Sequence, residues 1–309
     1  MGTADTKIFS VIFNPTADKG SAPKHIPAIN EFLQKHKINY EIHLTKAPGH
    51  AAELAYEFAL QGQIIVSAGG DGTCNEVING LMRAGNEKDI TPVFAVIPIG
   101  TGNDFAYGAH VPATLQESLQ AVIEEKSYCL DIGLVKGGDY PEGRYFGNGI
   151  GVGFDTIVGL EAAKLKHIHG ALGYVIAALK TLIIYPPAPE VELKYDDTTL
   201  NVNPALVSIM NGNRMGGTFF MSPEANNCDG IFNLCMTRQG KRRELLKAMM
   251  HYLKGTQSTL ESTTTLQSAD FSLKALHGEL AVHADGETIC EAGTEISVKC
   301  IPSALKIIR

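Results

Sequence analysis

Before Asp131, short apolar runs alternate with segments whose apolar residues recur at helical spacing. The apolar runs predict strands at 8–13, 40–44, 64–66 and 93–97. The amphipathic segments predict helices at 26–33, 51–58, 73–82 and 115–123. Strands that alternate with helices predict a parallel sheet with helices on both faces, in which ligands bind at the carboxyl ends of the strands.

After Asp131 the pattern changes, and short strands dominate. They are predicted at 130–135, 145–154, 191–195, 205–211, 231–236, 271–274, 279–284 and 295–298, with turns at 136–139 and 196–197. Helical insertions are predicted near 156–184 and 241–254. We therefore predict an α/β fold class with two domains: an α/β domain with a parallel sheet at 1–131 and a mostly-β sandwich at 132–299.

A glycine-rich turn at 67–77 joins the strand at 64–66 to the following helix. Thr73 and Glu76 have the spacing of a capping box, which predicts that the helix begins at Thr73. Glycines let the backbone approach a ligand closely, and the free N–H groups of a helix N-terminus suit a phosphate. Asp71 adds a carboxylate, which beside phosphates indicates a Mg²⁺ ligand or a proton acceptor. The alternative is a tight strand–helix connection that binds nothing.

A second polar turn, at 100–105, follows the strand at 93–97. Thr101 and the adjacent backbone could contact phosphate or ribose, and Asn103 and Asp104 could hold Mg²⁺ or orient the loop. The alternative is an Asx-type turn without a ligand. Asn14, Thr45 and both turns lie at predicted strand ends, so we expect them to converge at one edge of the sheet.

Composition limits the classes of partner. The formal net charge of the 309 residues is -7, which argues against general affinity for nucleic acid. The six cysteines are scattered without a C-x-x-C pair, so neither a zinc site nor a disulfide framework is indicated. The longest apolar stretch, at 171–184, is too short to span a membrane, and the polar N-terminus does not have the features of a signal peptide. We expect a soluble cytoplasmic protein.

Six short motifs together resemble one family. The glycine-rich loop alone resembles the nucleotide loop shared by diacylglycerol, sphingosine and NAD kinases and by phosphofructokinases. In chain order the motifs are Asn14-Pro15-Thr16, Gly69-Gly70-Asp71-Gly72-Thr73 with Asn75-Glu76-Val77, Gly100-Thr101-Gly102-Asn103-Asp104-Phe105, Asp131-Ile132-Gly133, Asp229-Gly230 and Asp285-Gly286-Glu287. The full series resembles the bacterial soluble diacylglycerol kinase family, over nearly the whole chain.

This resemblance implies a set of ligand contacts. A network of metal and water between the domains would involve Asp71, Asp104 and Asp131, and a structural Mg²⁺ would bind Asp229 with carbonyls near Asn226 and Ile231. From the residues alone, 226–230 is only a polar turn. The last strand, at about 300–309, would return to the first domain. The implied ATP contacts are Asn14, Pro15, Thr16, Thr45, Gly69, Gly70, Asp71, Gly72, Thr73, Asn75, Glu76 and Thr101.

Two carboxylates end the predicted strand at 279–284. If the chain stays extended, Asp285 and Glu287 point to the same side, and their repulsion would raise one pKa and favour a proton acceptor, although a nearby Mg²⁺ would oppose that shift. Phosphoryl transfer needs the acceptor hydroxyl oriented and its proton accepted. The resemblance assigns the base to this motif, and the residues leave Asp285 and Glu287 as alternatives. A hairpin turn with solvated acids is the third possibility.

A compact basic cluster precedes the apolar stretch. It consists of Lys164, Lys166, His167 and His169, and it is either a membrane-facing patch or an ordinary solvated helix face. A lipid substrate must be met at a bilayer surface, so the lipid-kinase prediction includes peripheral contact with the inner face of the membrane. By analogy with the resembled family, we also expect a homodimer.

The predicted function is that of an ATP- and Mg²⁺-dependent lipid kinase that phosphorylates the free hydroxyl of diacylglycerol. The catalytic residues are then Asp71 with Asp285 or Glu287. Two alternatives remain. One is a kinase of another acceptor, such as a sphingoid base, another lipid or NAD, and the other is a nucleotide-binding protein without turnover.

Overall fold

The computed structural model describes residues 7–164, 170–184 and 187–309. The helices are α1 Ile26–Lys35, α2 His50–Leu60, α3 Asp71–Lys88, α4 Asp104–Gly108, α5 Leu115–Glu124, α6 Phe154–Ala163, α7 Gly170–Ile184 and α8 Arg242–Tyr252. Within the described ranges, no helix is long and apolar enough to cross a membrane. The strands are β1 Phe9–Phe13, β2 Tyr40–Leu44, β3 Ile64–Gly69, β4 Val93–Pro98, β5 Ser127–Gly137, β6 Tyr140–Phe146, β7 Gly149–Gly153, β8 Glu190–Tyr195, β9 Thr198–Val202, β10 Pro204–Met210, β11 Phe232–Arg238, β12 Thr263–Ser268, β13 Asp270–His277, β14 Leu280–Ala284, β15 Glu287–Gly293 and β16 Glu295–Ile308.

The chain divides into two compact units, each of which is described separately. The first unit extends to Leu130 and also contains Ser303–Arg309, whereas the second is Asp131–Pro302. The C-terminal residues therefore belong to the first unit, through the parallel pairing of Lys306–Ile308 in β16 with β4.

The first unit is built on a parallel sheet in the order β2-β1-β3-β4-β16. β1 is buried along its whole length, because helices cover both faces of such a sheet. One side of the sheet packs on α1 and α5 through Ile29, Leu33, Leu119 and Val122. This arrangement confirms the α/β fold predicted for the first part of the chain and aligns the carboxyl ends of β1, β3 and β4 at one edge.

The second unit contains two antiparallel sheets whose inner faces enclose one core. One sheet has the order β12-β11-β10-β7-β14-β15, and the other contains β9, β8, β13 and the first part of β16. Phe146 and Phe232 stack in the core with ring centroids 5.5 Å apart, among buried residues such as Leu273, Val282 and Ile296. The predicted β-sandwich is therefore confirmed.

Three helices cover the outer face of the six-stranded sheet. α6, α7 and α8 pack there in one apolar cluster that includes Leu206, Met210 and Cys235 of the sheet. Tyr252 anchors α8, because its hydroxyl hydrogen-bonds the Thr237 hydroxyl at 2.9 Å. Burial raises the pKa of Tyr252 well above its usual value, so the phenol stays protonated. One face of each of these helices is thus buried against the sheet.

Several predicted boundaries differ from the structure. The strand predicted at 145–154 is two strands, β6 and β7, because the N–H groups of Gly147 and Asn148 donate to the Asp285 carboxylate rather than to a neighbouring strand. β7 ends at Gly153, one residue before the predicted strand end, and α6 begins at Phe154. The prediction missed α4, β9, β12 and β15.

Candidate active site

The glycine-rich turn connects β3 to α3 within the first unit, as predicted, but the helix starts earlier. α3 begins at Asp71, with Gly70 as its N-cap and no side-chain cap. The predicted start at Thr73 is therefore wrong by two residues. The first N–H groups of α3 consequently lie directly after the two glycines, at the carboxyl end of β3, where they suit an anion.

The predicted capping box between Thr73 and Glu76 is also wrong. The Glu76 carboxylate instead accepts the backbone N–H groups of Gly49 at 2.8 Å and Ala51 at 3.1 Å, so it caps α2. The Thr73 hydroxyl is buried and accepts a hydrogen bond from the Asn14 side-chain amide at 3.0 Å. The two side chains therefore serve different elements, although their spacing is that of a capping box.

We expect Glu76→Ala to destabilise the first unit. The substitution leaves two α2 N-terminal N–H groups without their carboxylate, which costs about 1–2 kcal/mol. Urea denaturation measures the change, with Glu57→Ala as the control because Glu57 is an exposed glutamate in the middle of the same helix. An equal loss in both variants would contradict the capping role.

The two glycine-rich turns touch each other at Gly70 and Gly100. A Cβ atom added at Gly100 would overlap the Cα of Gly70 and lie 2.8 Å from Asn103 Oδ1, and one added at Gly70 would lie 3.2 Å from the Cα of Gly100. Neither position accepts a side chain without movement of the other loop. The absent side chains leave the backbone of both turns accessible at the sheet edge, as a bound phosphate requires. We call this pair of turns, in contact at Gly70 and Gly100, the glycine cradle.

The carboxylates of Asp71 and Asp104 both face Gly102, which lies in the second glycine-rich turn. A Cβ at Gly102 would lie 2.8 Å from Asp71 Oδ2 and 3.7 Å from Asp104 Oδ2. Asp71 Oδ1 also accepts the backbone N–H of Phe105 at 3.0 Å, which ties α3 to α4. The first unit therefore places two acidic oxygens beside the glycine cradle, and this donor set suits a hard divalent cation.

Asn103 has the structural role that sequence analysis gave as its alternative. Its φ is 52°, and its side chain accepts from the Gly100 N–H at 3.0 Å and donates to the Gly100 carbonyl at 2.9 Å. These bonds close the loop and leave Thr101 exposed at its tip. The Asx-type turn and the cradle are thus one structure, because the turn holds Gly100 against Gly70.

The remaining predicted nucleotide residues lie at neighbouring strand ends. Asn14 Oδ1 accepts both the N–H and the hydroxyl of Thr16, at 2.9 and 2.8 Å, which folds the turn that contains Pro15. The Thr45 N–H donates to the Phe13 carbonyl at 2.9 Å. The structure thus brings Asn14, Thr16 and Thr73 together. Asn75 has no exposed surface, and its backbone carbonyl accepts the Asn79 side-chain amide at 2.9 Å.

In the second unit, Asp131 holds the polar turn at 226–231. Its N–H donates to the Asn227 carbonyl at 2.7 Å, and its Oδ2 accepts the Gly230 N–H at 2.7 Å. Asp229 Oδ1 accepts the Ile231 N–H and Asn226 Oδ1 accepts the Cys228 N–H, both at 3.2 Å. Within the described ranges, no three His, Cys, Asp or Glu side chains cluster as metal ligands.

This turn nevertheless concentrates negative charge. Burial, with the charges of Asp131 and Asp229 as further causes, raises the pKa of the nearby Cys300 to about 12. Cys300 therefore stays a neutral thiol. A cation held by carboxylate and carbonyl oxygens would balance the two acids, so the residues present fit the predicted metal.

The extended geometry predicted for Asp285 and Glu287 is wrong. Asp285 has φ 50° and lies in the tight turn between β14 and β15, so the two side chains do not project from one extended face. The Asp285 oxygens accept the N–H groups of Gly147, Asn148 and Gly149 at 2.7–3.0 Å. Glu287 is exposed, and Arg144 lies 3.7 Å from its carboxylate. The argument from mutual repulsion therefore does not apply.

Two residues that sequence analysis missed lie beside this turn. His283 Nδ1 accepts the Gly286 N–H at 3.4 Å, and His283 Nε2 lies 3.7 Å from Asp155 Oδ2. A Cβ at the paired residue Gly151 would meet both side chains, so the glycine makes room for the pair. The only sequence signal was the Gly151-Val152-Gly153-Phe154-Asp155 stretch, whose spacing matches no general motif.

Comparison with known proteins connects these two units to one enzyme family. The family model for the diacylglycerol kinase catalytic domain matches residues 9–135, which include the glycine cradle and both of its carboxylates. A second model, for the YegS C-terminal NAD kinase beta sandwich-like domain, matches residues 148–309. The diacylglycerol kinase of Bacillus subtilis (strain 168) is 31% identical over 248 residues, which cover 79% of this chain and 78% of the relative. The chain belongs to the diacylglycerol kinase family.

A second curated relative is similar over most of the chain, and two solved structures share its fold. The diacylglycerol kinase of Staphylococcus saprophyticus is 29% identical over 272 residues, which cover 83% of this chain and 86% of the relative. Among solved structures, a diacylglycerol kinase from Bacillus anthracis str. Sterne superposes with a TM-score of 0.73 at 20% identity over 99% of this chain and 98% of its own. The yeast NADH kinase complexed with NADH shares the fold at a TM-score of 0.50, 15% identity, and 98% and 83% coverage.

Membership in the diacylglycerol kinase family confirms the predicted resemblance and enzyme class. The chain is a kinase, and the family implies ATP as the phosphate donor. The roles of individual site residues remain predictions.

Lys166, His167 and His169 of the predicted basic cluster lie outside the described residues. Lys164, its fourth member, forms an ion pair with Glu161 at 2.7 Å.

Proposed function

We propose that the protein is a lipid kinase that transfers the γ-phosphoryl group of ATP to the free hydroxyl of diacylglycerol in a Mg²⁺-dependent reaction. The observation that carries the proposal is the Gly70–Gly100 cradle with Asp71 and Asp104 beside it. This cradle lies in the region matched by the diacylglycerol kinase catalytic model. The products are phosphatidic acid and ADP.

The first unit is proposed to bind the nucleotide. Backbone N–H groups at the start of α3 and in the turn at Gly100 receive phosphate oxygens, and Asn14, Thr16, Thr45 and Thr101 line the same strand ends. Asp71 and Asp104 supply the acidic oxygens that would hold Mg²⁺. A bound Mg²⁺ would neutralise the negative charge of the phosphate groups in the transition state of the transfer.

The second unit is proposed to supply the proton acceptor. The hydroxyl oxygen of the acceptor forms the new bond to the γ-phosphorus while the bond from that phosphorus to the bridging oxygen breaks and releases ADP. The hydroxyl proton passes to the carboxylate of Asp285 or Glu287. Asp285 is rigidly oriented by three backbone N–H groups, whereas Glu287 is exposed.

A structural Mg²⁺ is proposed for the polar turn at 226–231. Asp229 and carbonyls near Asn226 and Ile231 would hold it. Asp131 orients the turn through its hydrogen bonds to Asn227 and Gly230. The ion would neutralise charge there, because Asp229 of the turn and Asp131 beside it are two acids close to the buried Cys300 thiol. Such an ion contributes stability rather than a reaction step.

An acceptor comparison tests the proposed substrate. Labelled ATP is supplied with diacylglycerol, a sphingoid base or NAD under otherwise identical conditions, because the nucleotide half is compatible with all three acceptors. We expect label in phosphatidic acid with a rate at least tenfold above that of the other two products. Preferential labelling of NAD would move the protein toward the NAD kinases, whose fold it shares, and preferential labelling of the sphingoid base would contradict diacylglycerol.

A further inference from the structure

Exposed aliphatic side chains are concentrated on α7 and α8. Of the ten large hydrophobic side chains that are exposed in the described part of the chain, five lie on these two helices. They are Leu179, Ile183 and Ile184 on α7 and Leu246 and Met250 on α8, and Ile183 is the most exposed at 73%. Single exposed aliphatic residues are ordinary, whereas a cluster of them marks a contact surface.

Helical geometry puts the α8 residues on one face. Leu245, Ala248, Met249 and Tyr252 are buried and face the sheet, so the opposite face points to solvent. That outer face carries Leu246 and Met250, four residues apart, together with the exposed cations Arg243 and Lys247. The helix therefore presents aliphatic and basic side chains side by side, a composition typical of helices that lie in a membrane interface.

The outer face of α7 adjoins that of α8. The two helices contact each other, and both contribute buried residues, such as Ala178 and Leu245, to the same apolar cluster. On α7, Leu179 and Ile183 are four residues apart, as are Lys180 and Ile184. Lys164 and Lys180 both pair with Glu161, at 2.7 and 2.5 Å, so Glu161 offsets one of their two positive charges, and the exposed Arg243 and Lys247 of α8 supply further positive charge.

We propose that this α7–α8 outer face docks on an anionic lipid bilayer. The exposed cations of this face favour an anionic surface as its partner. The chain as a whole carries a net charge of -7 and is repelled by an anionic surface, so attraction has to come from a local patch in which cations accompany the apolar residues. The proposal rests on the proposed lipid-kinase function, because it identifies the face through which the enzyme reaches a substrate dissolved in a bilayer.

Vesicle sedimentation without nucleotide tests the docking separately from catalysis. The full-length protein is mixed with phosphatidylcholine vesicles that contain or lack phosphatidylglycerol. Ile183→Ser with Ile184→Ser should lower the partition constant roughly tenfold on both compositions, since apolar burial is lost. Arg243→Gln with Lys247→Gln should lower it on the order of tenfold on anionic vesicles only.

Matched controls come from the same unit. Leu276→Ser removes an exposed aliphatic residue on β13, and Lys274→Gln with Lys299→Gln removes two exposed cations from β13 and β16. These variants should bind vesicles as the wild type does. All variants should retain turnover on a short-chain diacylglycerol that is dispersed as monomers, because the docking face lies outside the proposed machinery. Absence of turnover in the wild type would refute the kinase proposal and leave the vesicle result intact.

Two outcomes would overturn the proposal. One is vesicle binding that is unchanged in both α7–α8 variants while the far-ultraviolet circular dichroism shows that they are folded. The other is a wild-type dimer that Ile183→Ser with Ile184→Ser converts to monomers without affecting vesicle binding. That result would assign the face to a second copy of the chain.

Discussion

Asp285→Ala is expected to abolish phosphoryl transfer and to lower the free energy of unfolding. The substitution removes the acceptor of three N–H groups, and all three donor residues, Gly147, Asn148 and Gly149, are buried. Leaving such groups without an acceptor costs about 2–4 kcal/mol. Thermal and urea unfolding of the variant measure this loss. Inactivity of Asp285→Ala by itself therefore does not identify the proton acceptor.

Two conservative variants separate the structural role from the chemical one. Asp285→Asn keeps one acceptor oxygen, and Glu287→Gln keeps the length of an exposed side chain, so both should fold. Loss of the base lowers kcat by about 10²–10⁴-fold, with little change in the KM for ATP. The variant that shows this loss at a temperature where circular dichroism finds it folded identifies the base. If both retain kcat within a factor of ten, the base is neither residue.

Gly100→Ala is expected to cause the second large effect, a loss of nucleotide binding. The added methyl group would overlap the Cα of Gly70 and press on Asn103 Oδ1, so the two turns must separate. Separation displaces the N–H groups proposed to bind phosphate, and overpacking of this kind also costs about 1–3 kcal/mol of stability. We expect affinity for a non-hydrolysable ATP analogue to fall by roughly 100-fold, which titration calorimetry can measure.

A graded series controls for the substitution itself. Gly70→Ala should show a smaller loss, because its Cβ would lie 3.2 Å from the Gly100 Cα, a distance that a small shift can accommodate. Gly159→Ala in α6 meets nothing within 4 Å and should leave nucleotide affinity unchanged. Equal affinity in the wild type and Gly100→Ala would show that the cradle does not receive phosphate.

The strands that sequence analysis missed share a physical cause. β9, β12 and β15 lie at the edges of their sheets and pair with one neighbour each. β9 and β12, for example, are threonine-rich and mostly partly buried or exposed, so they lack the alternation of apolar and polar residues by which a half-buried strand is recognised. The buried strands β1, β3 and β4 are short apolar runs, and these runs predicted the α/β class.

Local motifs failed where distant residues competed for the same groups. Thr73 and Glu76 have capping-box spacing, yet the helix before them, α2, takes the Glu76 carboxylate and Asn14 takes the Thr73 hydroxyl. Asp285 has a positive φ because it is the first residue of the two-residue Asp285-Gly286 hairpin turn, and its carboxylate accepts three N–H groups from 147–149. Partners 25 to 138 positions away in the sequence decide these contacts, and spacing within one motif does not contain them.

The measurement that tests the central claim most directly is phosphate transfer from labelled ATP to diacylglycerol in mixed micelles, with and without Mg²⁺. The account predicts labelled phosphatidic acid only when Mg²⁺ is present, and none from Asp71→Asn under the same conditions. Nucleotide binding without any product would contradict the proposed transfer while retaining the cradle. Folded protein that fails to bind ATP at all would contradict the interpretation of the Gly70–Gly100 turns themselves.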